Sequence, residues 1–269
     1  KLDVNNKIVK NLNISDLSYQ KFLAIKNYLN IFHSYYCKRP LLNLSDISLG
    51  NILIASAFLK NKKNFNKSLH DIQNFLEIKN KVLNITKGEN LFLNAVLEDG
   101  TFISNEEHLV QIPHQSKVED IFLLKKKLSN KEIKLINSQK NKNKKDILNK
   151  SSTRPKINTE VASVIKSSDI IIYGPGTQFS SLFPSYLTIG LRKLIEKSKA
   201  KKFLVTNIYL DNDIIKETVE SIIEKFYYFF NKKNPKINNK LINYYLVNKF
   251  DDHDLNLLKK TNYLAYQKN

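Results

Sequence analysis

The chain has no Met, no Trp, a single Cys, and only six Gly and six Pro in 269 residues. With no Met and with Lys1 first, the natural start of the protein is expected upstream, together with any motif that belongs there. One cysteine, Cys37, can build neither a disulfide framework nor a Cys-based zinc site. It is expected to be a small packed side chain, compatible with a reducing cytoplasm. Long apolar runs are missing as well. The longest, residues 51–59, falls far short of the roughly 20 residues that a membrane helix requires. No apolar stretch near the start resembles a secretory signal. A cytoplasmic protein with no membrane partner is therefore expected. The five His are scattered and no Ser-His-Asp or Cys-His arrangement can be assembled, so the catalytic residues are unknown. Asp251-Asp252-His253-Asp254 are adjacent rather than spaced as in a calcium-binding loop. Glu106-Glu107-His108 read as solvated surface, and no metal ligand is assigned.

What is plentiful is Lys. Lys and Arg number 44 against 25 Asp and Glu, a net charge of +19. The excess comes with abundant Asn and Ile, the mix that an AT-rich coding sequence produces. A nucleic-acid surface would more often interleave Arg with aromatics, for forked phosphate contacts and stacking. A nucleic-acid-associated protein is thus a reading that rests on charge alone. Residues 125–150 hold ten Lys against only Glu132 and Asp146. With few aromatics and weak helical periodicity, residues 125–155 are expected to form a solvated loop or insertion. Hydrophobic residues at 42% are ordinary for a folded protein, and the length allows a substantial core.

Periodicity organises the rest. A helix beginning at Ser15 is expected, with Phe22, Ile25, Leu29 and Phe32 at three- and four-residue spacing. Further helices are expected at residues 50–60 and 66–79, the latter with Leu69, Ile72, Phe75 and Leu76 on one face. Leu91, Leu93, Ala95 and Leu97 alternate as in a strand, and Asp99-Gly100 signals a hairpin turn with a return strand at 101–104. Beyond residue 155 the pattern becomes strand (169–173), helix (190–198), strand (202–206), helix (213–230), strand (241–247). Residues 169–173, an unbroken apolar run, predict a strand buried on both faces. The 213–230 helix is expected to turn Ile214, Ile215, Val219, Ile222, Ile223 and Phe226 inward. This alternation predicts an α/β fold: a Rossmann-like parallel sheet flanked by helices, with a β-hairpin insertion. Three regions are expected: a helical segment at 1–40, the α/β domain at 41–248, and a C-terminal tail at 249–269.

Ligands of open parallel sheets sit at the carboxyl ends of the strands. There the sequence reads Gly174-Pro175-Gly176-Thr177-Gln178-Phe179-Ser180-Ser181. Small residues let backbone amides approach a phosphate, the hydroxyls of Thr177, Ser180 and Ser181 can donate to it, and a helical turn near 179–184 would aim free N–H groups at it. The same residues could equally form a plain Pro-Gly turn. Asn207, past the next strand, could orient a ligand or close a loop; Asn248 stands similarly after the third. Ser48 before the 50–60 helix reads as an N-cap, and Gly50 could allow a close backbone approach.

In this order, Ser48-Leu49-Gly50-Asn51-Ile52-Leu53, Leu97-Glu98-Asp99-Gly100-Thr101, residues 169–184, Val205-Thr206-Asn207 and Leu246-Val247-Asn248 resemble segments of the CofD/YvcK family. The corresponding family patterns are GHSxGNLL, LEDGT, a strand plus GPGSxxTSxxP, and strand ends CN and LVN. The resemblance spans residues 41–248. It implies a Rossmann-like nucleotide-binding fold, with Gly174, Pro175, Gly176, Thr177, Ser180 and Ser181 holding phosphate and Ser48, Gly50, Asn51 and Asn207 lining the same pocket. One branch moves a phospholactyl group from a guanosine diphosphate carrier to a deazaflavin, with Mg²⁺; that reading would make the chain a transferase. The gluconeogenesis-factor branch implies a regulatory binder of a nucleotide diphosphate or nucleotide sugar, with no certain cofactor and with homo-oligomers allowed. The Gly-Pro-Gly-Thr segment is closer to the second branch, because the transferases tend to carry GPSNP there. Two departures stand out. The family's Gly-His before the Ser is Asp46-Ile47 here, and its first glycine-rich loop is expected upstream of Lys1.

Overall fold

The computed structural model describes residues 18–39, 41–44, 47–111, 116–207, 212–234, 240–247 and 264–265. They fall into two units, residues 1–84 and 85–269, so the division lies well beyond residue 40.

The first unit is helical. Helix α1 (Tyr19–Tyr36) starts at Ser18, whose Oγ accepts the Lys21 amide; the expected start at Ser15 lies outside the described residues. Helix α2 (Leu49–Lys60) and helix α3 (Phe65–Phe75) follow. Phe32 and Ile72 are buried, as the spacing predicts; Phe22, Ile25, Leu29, Leu69 and Phe75 are half-buried, and Tyr28 and Ala57, not expected from the spacing, are buried as well. Leu76 is exposed instead, because α3 stops one residue earlier and Glu77 takes a positive φ of 54°. Cys37 is also exposed rather than packed, with Sγ 3.6 Å from His33 Nε2.

The second unit contains two sheets. The hairpin predicted around Asp99-Gly100 is present as β1 (Phe92–Leu97) and β2 (Phe102–Ile103). Gly100 has φ +87°, which glycine adopts without strain. A short helix α4 (Glu106–Gln111) leads to a strand not read from the sequence, β3 (Val118–Leu124). It pairs antiparallel with β1, giving the order β2-β1-β3. Alternation sends Leu93, Ala95, Leu97, Ile121 and Leu123 into the main core. Val96, Phe122 and Leu124 face the other way, into a smaller one.

That smaller core is closed by the Lys-rich segment, which is not the expected loop. Residues 125–155 form helices α5 (Asn130–Asn137) and α6 (Asn141–Ser151). Ile136 and Leu148 are buried against Phe122, and the long stem of Lys144 is buried too, its Nζ donating to the Gly100 carbonyl at 2.7 Å. Two apolar anchors and one hydrogen-bonded cation hold the segment, with Lys145 half-buried in an ion pair with Glu119 and most of the other Lys exposed.

Helix α7 (Thr159–Ser167) precedes the parallel sheet, which has the order β4-β5-β6-β7 with β4 (Ile170–Tyr173), β5 (Lys201–Val205), β6 (Tyr244–Val247) and β7 (Leu264–Ala265). All three pairings are parallel, so the predicted α/β fold is present. Helices α8 (Phe183–Tyr186), α9 (Leu191–Lys197) and α10 (Val219–Phe230) make the connections. The expected 213–230 helix is broken. Residues Asn212–Ile214 form one tight 3-10 turn, and α10 begins only after Thr218, whose extended backbone and hydroxyl cap the Ser221 amide. Ile215 is exposed as a result. β4 is also not buried on both faces: Ile170 and Ile172 are 58% and 63% exposed. Among the described residues β4 is an edge strand, and α8 and α10 pack only on its Tyr173 side. There Tyr173, Tyr186, Phe226 and Phe230 form an aromatic cluster with centroids 4.3–6.0 Å apart.

Candidate functional site

The chain leaves β4 at Tyr173 and turns through Gly174-Pro175-Gly176 at the carboxyl end of the strand, where the topology favours a ligand. The two glycines differ. Gly176 has φ +155°, a backbone setting that L side chains rarely adopt. Gly174 is not required by the fold, because a Cβ there would meet nothing within 4 Å. The space in front of it is open.

Asn207, at the end of β5, holds the loop shut. Its Nδ2 donates to the Gly176 carbonyl at 3.0 Å, and its Oδ1 accepts Gln178 Nε2 at 2.9 Å and the Gly176 amide at 3.4 Å. Gln178 Nε2 also reaches the Gly176 carbonyl at 3.2 Å. Asn207 is therefore a positioning residue for the loop, the loop-closing alternative of the two the sequence left open. Gln178, buried, is its partner and was missed; only its place two residues after Gly176 could have marked it.

Beyond Thr177 the backbone makes one π-helical turn (Gln178–Leu182) instead of the expected α-helical start. The Thr177 carbonyl accepts the amides of both Ser181 and Leu182, at 3.3 and 3.2 Å. Such wide turns recur at functional sites. Among the described residues, the Thr177 and Gln178 amides donate to no other group. The Thr177 and Ser181 hydroxyls lie 2.7 Å apart, with Ser181 exposed. Ser180 differs from the sequence picture: it is buried, with Oγ 3.4 Å from Ser181 Oγ. Pro175 is exposed at the loop tip. The turn rests on Phe179 and Phe183, both fully buried, and Lys225 Nζ sits 5.7 Å from the Phe179 ring centre. Burial pushes the Lys225 amine below its ordinary value, against the carboxylates of Glu217, Glu98, Asp120 and Glu119. Helix α4 packs against the turn, with Glu106, Glu107 and His108 exposed on it; desolvation nevertheless raises the Glu106 carboxyl. Chemically, the loop offers neutral hydrogen-bond donors to an anion.

Ser48, Gly50 and Asn51 belong to the first unit. Ser48 Oγ accepts the Asn51 amide at 3.1 Å, the predicted N-cap of α2. A Cβ at Gly50 would touch only Ser48 Oγ, at an ordinary 3.7 Å. Asp46, Asn248 and Asp251-Asp252-His253-Asp254 lie outside the described residues. Among the described residues, no three His, Cys, Asp or Glu gather to hold a metal ion, and no helix is long and apolar enough to cross a membrane.

A parallel sheet with a glycine-rich loop turned across its strand ends defines a Rossmann-like α/β fold. Comparison with known proteins places it more closely. The family model described as 2-phospho-L-lactate transferase CofD matches residues 33–268, so the chain belongs to the CofD family. It is 26% identical over 169 residues to the gluconeogenesis factor of Halalkalibacterium halodurans, covering 63% of this chain and 43% of that protein. To the gluconeogenesis factor of Bacillus subtilis it is 24% identical over 166 residues, covering 62% and 43%. The chain thus spans about two fifths of the length of these relatives. A crystal structure of a UPF0052-family protein from Bacillus halodurans shares the fold, with a TM-score of 0.60 and 19% identity, covering 83% of this chain and 66% of that one.

Proposed function

We propose that loop 174–181 binds the phosphates of a nucleotide diphosphate or nucleotide sugar, and that the chain acts as a regulatory binder. The observation that carries this reading is the pair of adjacent amides, Thr177 and Gln178, that spend no hydrogen bond within the described protein. They stand beside the Thr177–Ser181 hydroxyls at a strand end, with Asn207 fixing the loop beforehand. Preorganised neutral donors of this kind hold an anion without needing a cation. Likeness to proteins named gluconeogenesis factor supports the regulatory branch.

The transferase reading is supported by the name of the matching family model. The residues present do not fit a chain-held Mg²⁺, since the loop offers donors and no carboxylate cluster stands among the described residues.

Gly174→Ala tests the proposal, because its Cβ enters open space and leaves the fold alone. Calorimetric titration with UDP-sugars and guanine nucleotides should show saturable binding, weakened at least tenfold by Gly174→Ala at an unchanged melting temperature. Absence of nucleotide binding, or equal affinity in the variant, overturns the site. Turnover in a 2-phospho-L-lactate transfer assay would favour the enzyme instead.

A further inference from the structure

We propose a second anion site, at the other end of the parallel sheet from loop 174–181, that takes a small phosphate monoester with a compact apolar part. It is independent of the nucleotide reading. A cavity of about 600 Å³ is lined by Arg154, Thr188, Ile189, Arg192, Lys193 and Lys232 among others. That volume suits a metabolite-sized ligand rather than a macromolecule.

Topology separates the two sites. Gly174 and Asn207 follow the carboxyl ends of β4 and β5. Helix α10 runs back from that edge towards the start of β6, so Phe230 and Lys232 arrive at the amino-terminal edge. No residue of the loop lines the cavity.

Charge gives the ligand's sign. Four cationic side chains meet one carboxylate, that of Glu196, which already accepts Arg192 Nε at 2.8 Å. Arg154 is the informative residue. It is half-buried, its Nε is committed to the Leu187 carbonyl at 2.7 Å, and among the described residues no carboxylate pairs with it. Its neighbour Lys233 shows the alternative, a cation neutralised by Asp120 at 2.8 Å. A partly desolvated guanidinium without a counter-ion is unfavourable, and its free terminal N–H groups form the planar fork that matches phosphate oxygens. Burial also depresses the Arg154 pKa, in line with a missing anion.

A second, neutral observation points the same way. Thr188 also lines the cavity, is 1% exposed, and its hydroxyl has no hydrogen-bond partner among the described residues. Buried hydroxyls are seldom left so. Ile189, 49% exposed, supplies an apolar wall for the organic part of the ligand. Inorganic phosphate would satisfy the cations but leave Ile189 uncovered, so phenyl phosphate should bind more tightly.

The test is calorimetric titration of the full chain with phenyl phosphate and with inorganic phosphate at fixed ionic strength. Lys193 and Lys232 are exposed, so the double variant Lys193→Glu/Lys232→Glu should fold, with Lys193→Gln/Lys232→Gln as the milder form. We expect saturable one-to-one binding, weakened at least tenfold by charge reversal, several-fold by the Gln pair, and not at all by Gly174→Ala. No saturable binding, equal affinity in both Lys variants, or loss of binding in Gly174→Ala would each overturn the second site.

Discussion

The two ends of the parallel sheet offer anions opposite kinds of partner. At the carboxyl end, loop 174–181 presents amides and hydroxyls held by Asn207 and carries no charge of its own. At the amino end, the cavity presents Arg154, Arg192, Lys193 and Lys232. Neutral donors fixed in place read geometry and respond weakly to salt. Exposed cations read charge, and their reach shrinks with a Debye length of about 8 Å at physiological ionic strength. If both proposed sites hold, one protein would separate two phosphate ligands by shape at one end and by charge at the other. Between the ends lies one aromatic core, in which Phe226 touches Tyr173, Tyr186 and Phe230.

The largest effect should come from breaking what the two ends share. Phe226→Ala empties a fully buried site, and should cost about 3–5 kcal/mol in urea unfolding. Both binding activities should weaken together; loss at one end alone would show that the core does not couple them. Next comes the contrast between the glycines. Gly176→Ala forces a side chain onto φ +155°, and should cost roughly 1–3 kcal/mol. Gly174→Ala should change stability by less than about 0.5 kcal/mol, so thermal melts separate fold from binding at this end. At the other end, Thr188→Val replaces an unpartnered buried hydroxyl with a methyl, and should stabilise the ligand-free chain by about 1 kcal/mol. A drop in melting temperature would mean that the hydroxyl has a partner there. The smallest effect lies outside both ends. The Glu132 carboxyl is held down from 4.5 to about 2 by the Lys126 ammonium and then by the Ser129 amide and hydroxyl. A depressed carboxylate contributes its stability above the ordinary value and loses it as the pH falls through the lowered one. Acidification from about 4.5 to about 2 should therefore fray α5. A circular-dichroism titration should show that pH step removed in Glu132→Gln, with neither end of the sheet affected.

Strands β4, β5 and β6 were legible because each is an apolar run bounded by turn residues, and Asp99-Gly100 marked its hairpin without help; β7, two residues long and inside the expected tail, was not read. The loop was legible as glycines after a strand. Strand β3 was not read, because Glu119 and Asp120 interrupt its apolar residues and Ile121 to Leu124 run on without a two-residue period, so pairing with β1 decides its conformation. Helices α5 and α6 were hidden by their Lys content, yet Ser129 and Glu132 have the spacing of a capping box, which the structure contains. That local signal would have been enough to start a helix.

By itself, then, the sequence determined the period of α1 to α3, of β1 and of β4 to β6, the α/β alternation and the placing of Gly174-Pro175-Gly176-Thr177 after a strand, since these depend on neighbours in the chain. Only the tertiary structure decided that Asn207 clamps Gly176, that Ser180 is buried while Ser181 is exposed, and that Ile170 and Ile172 lie on an open face. It also brought Arg154, Thr188 and Lys232 around one cavity. Those relations join residues tens of positions apart, and no local pattern of side chains specifies which distant groups packing will bring together.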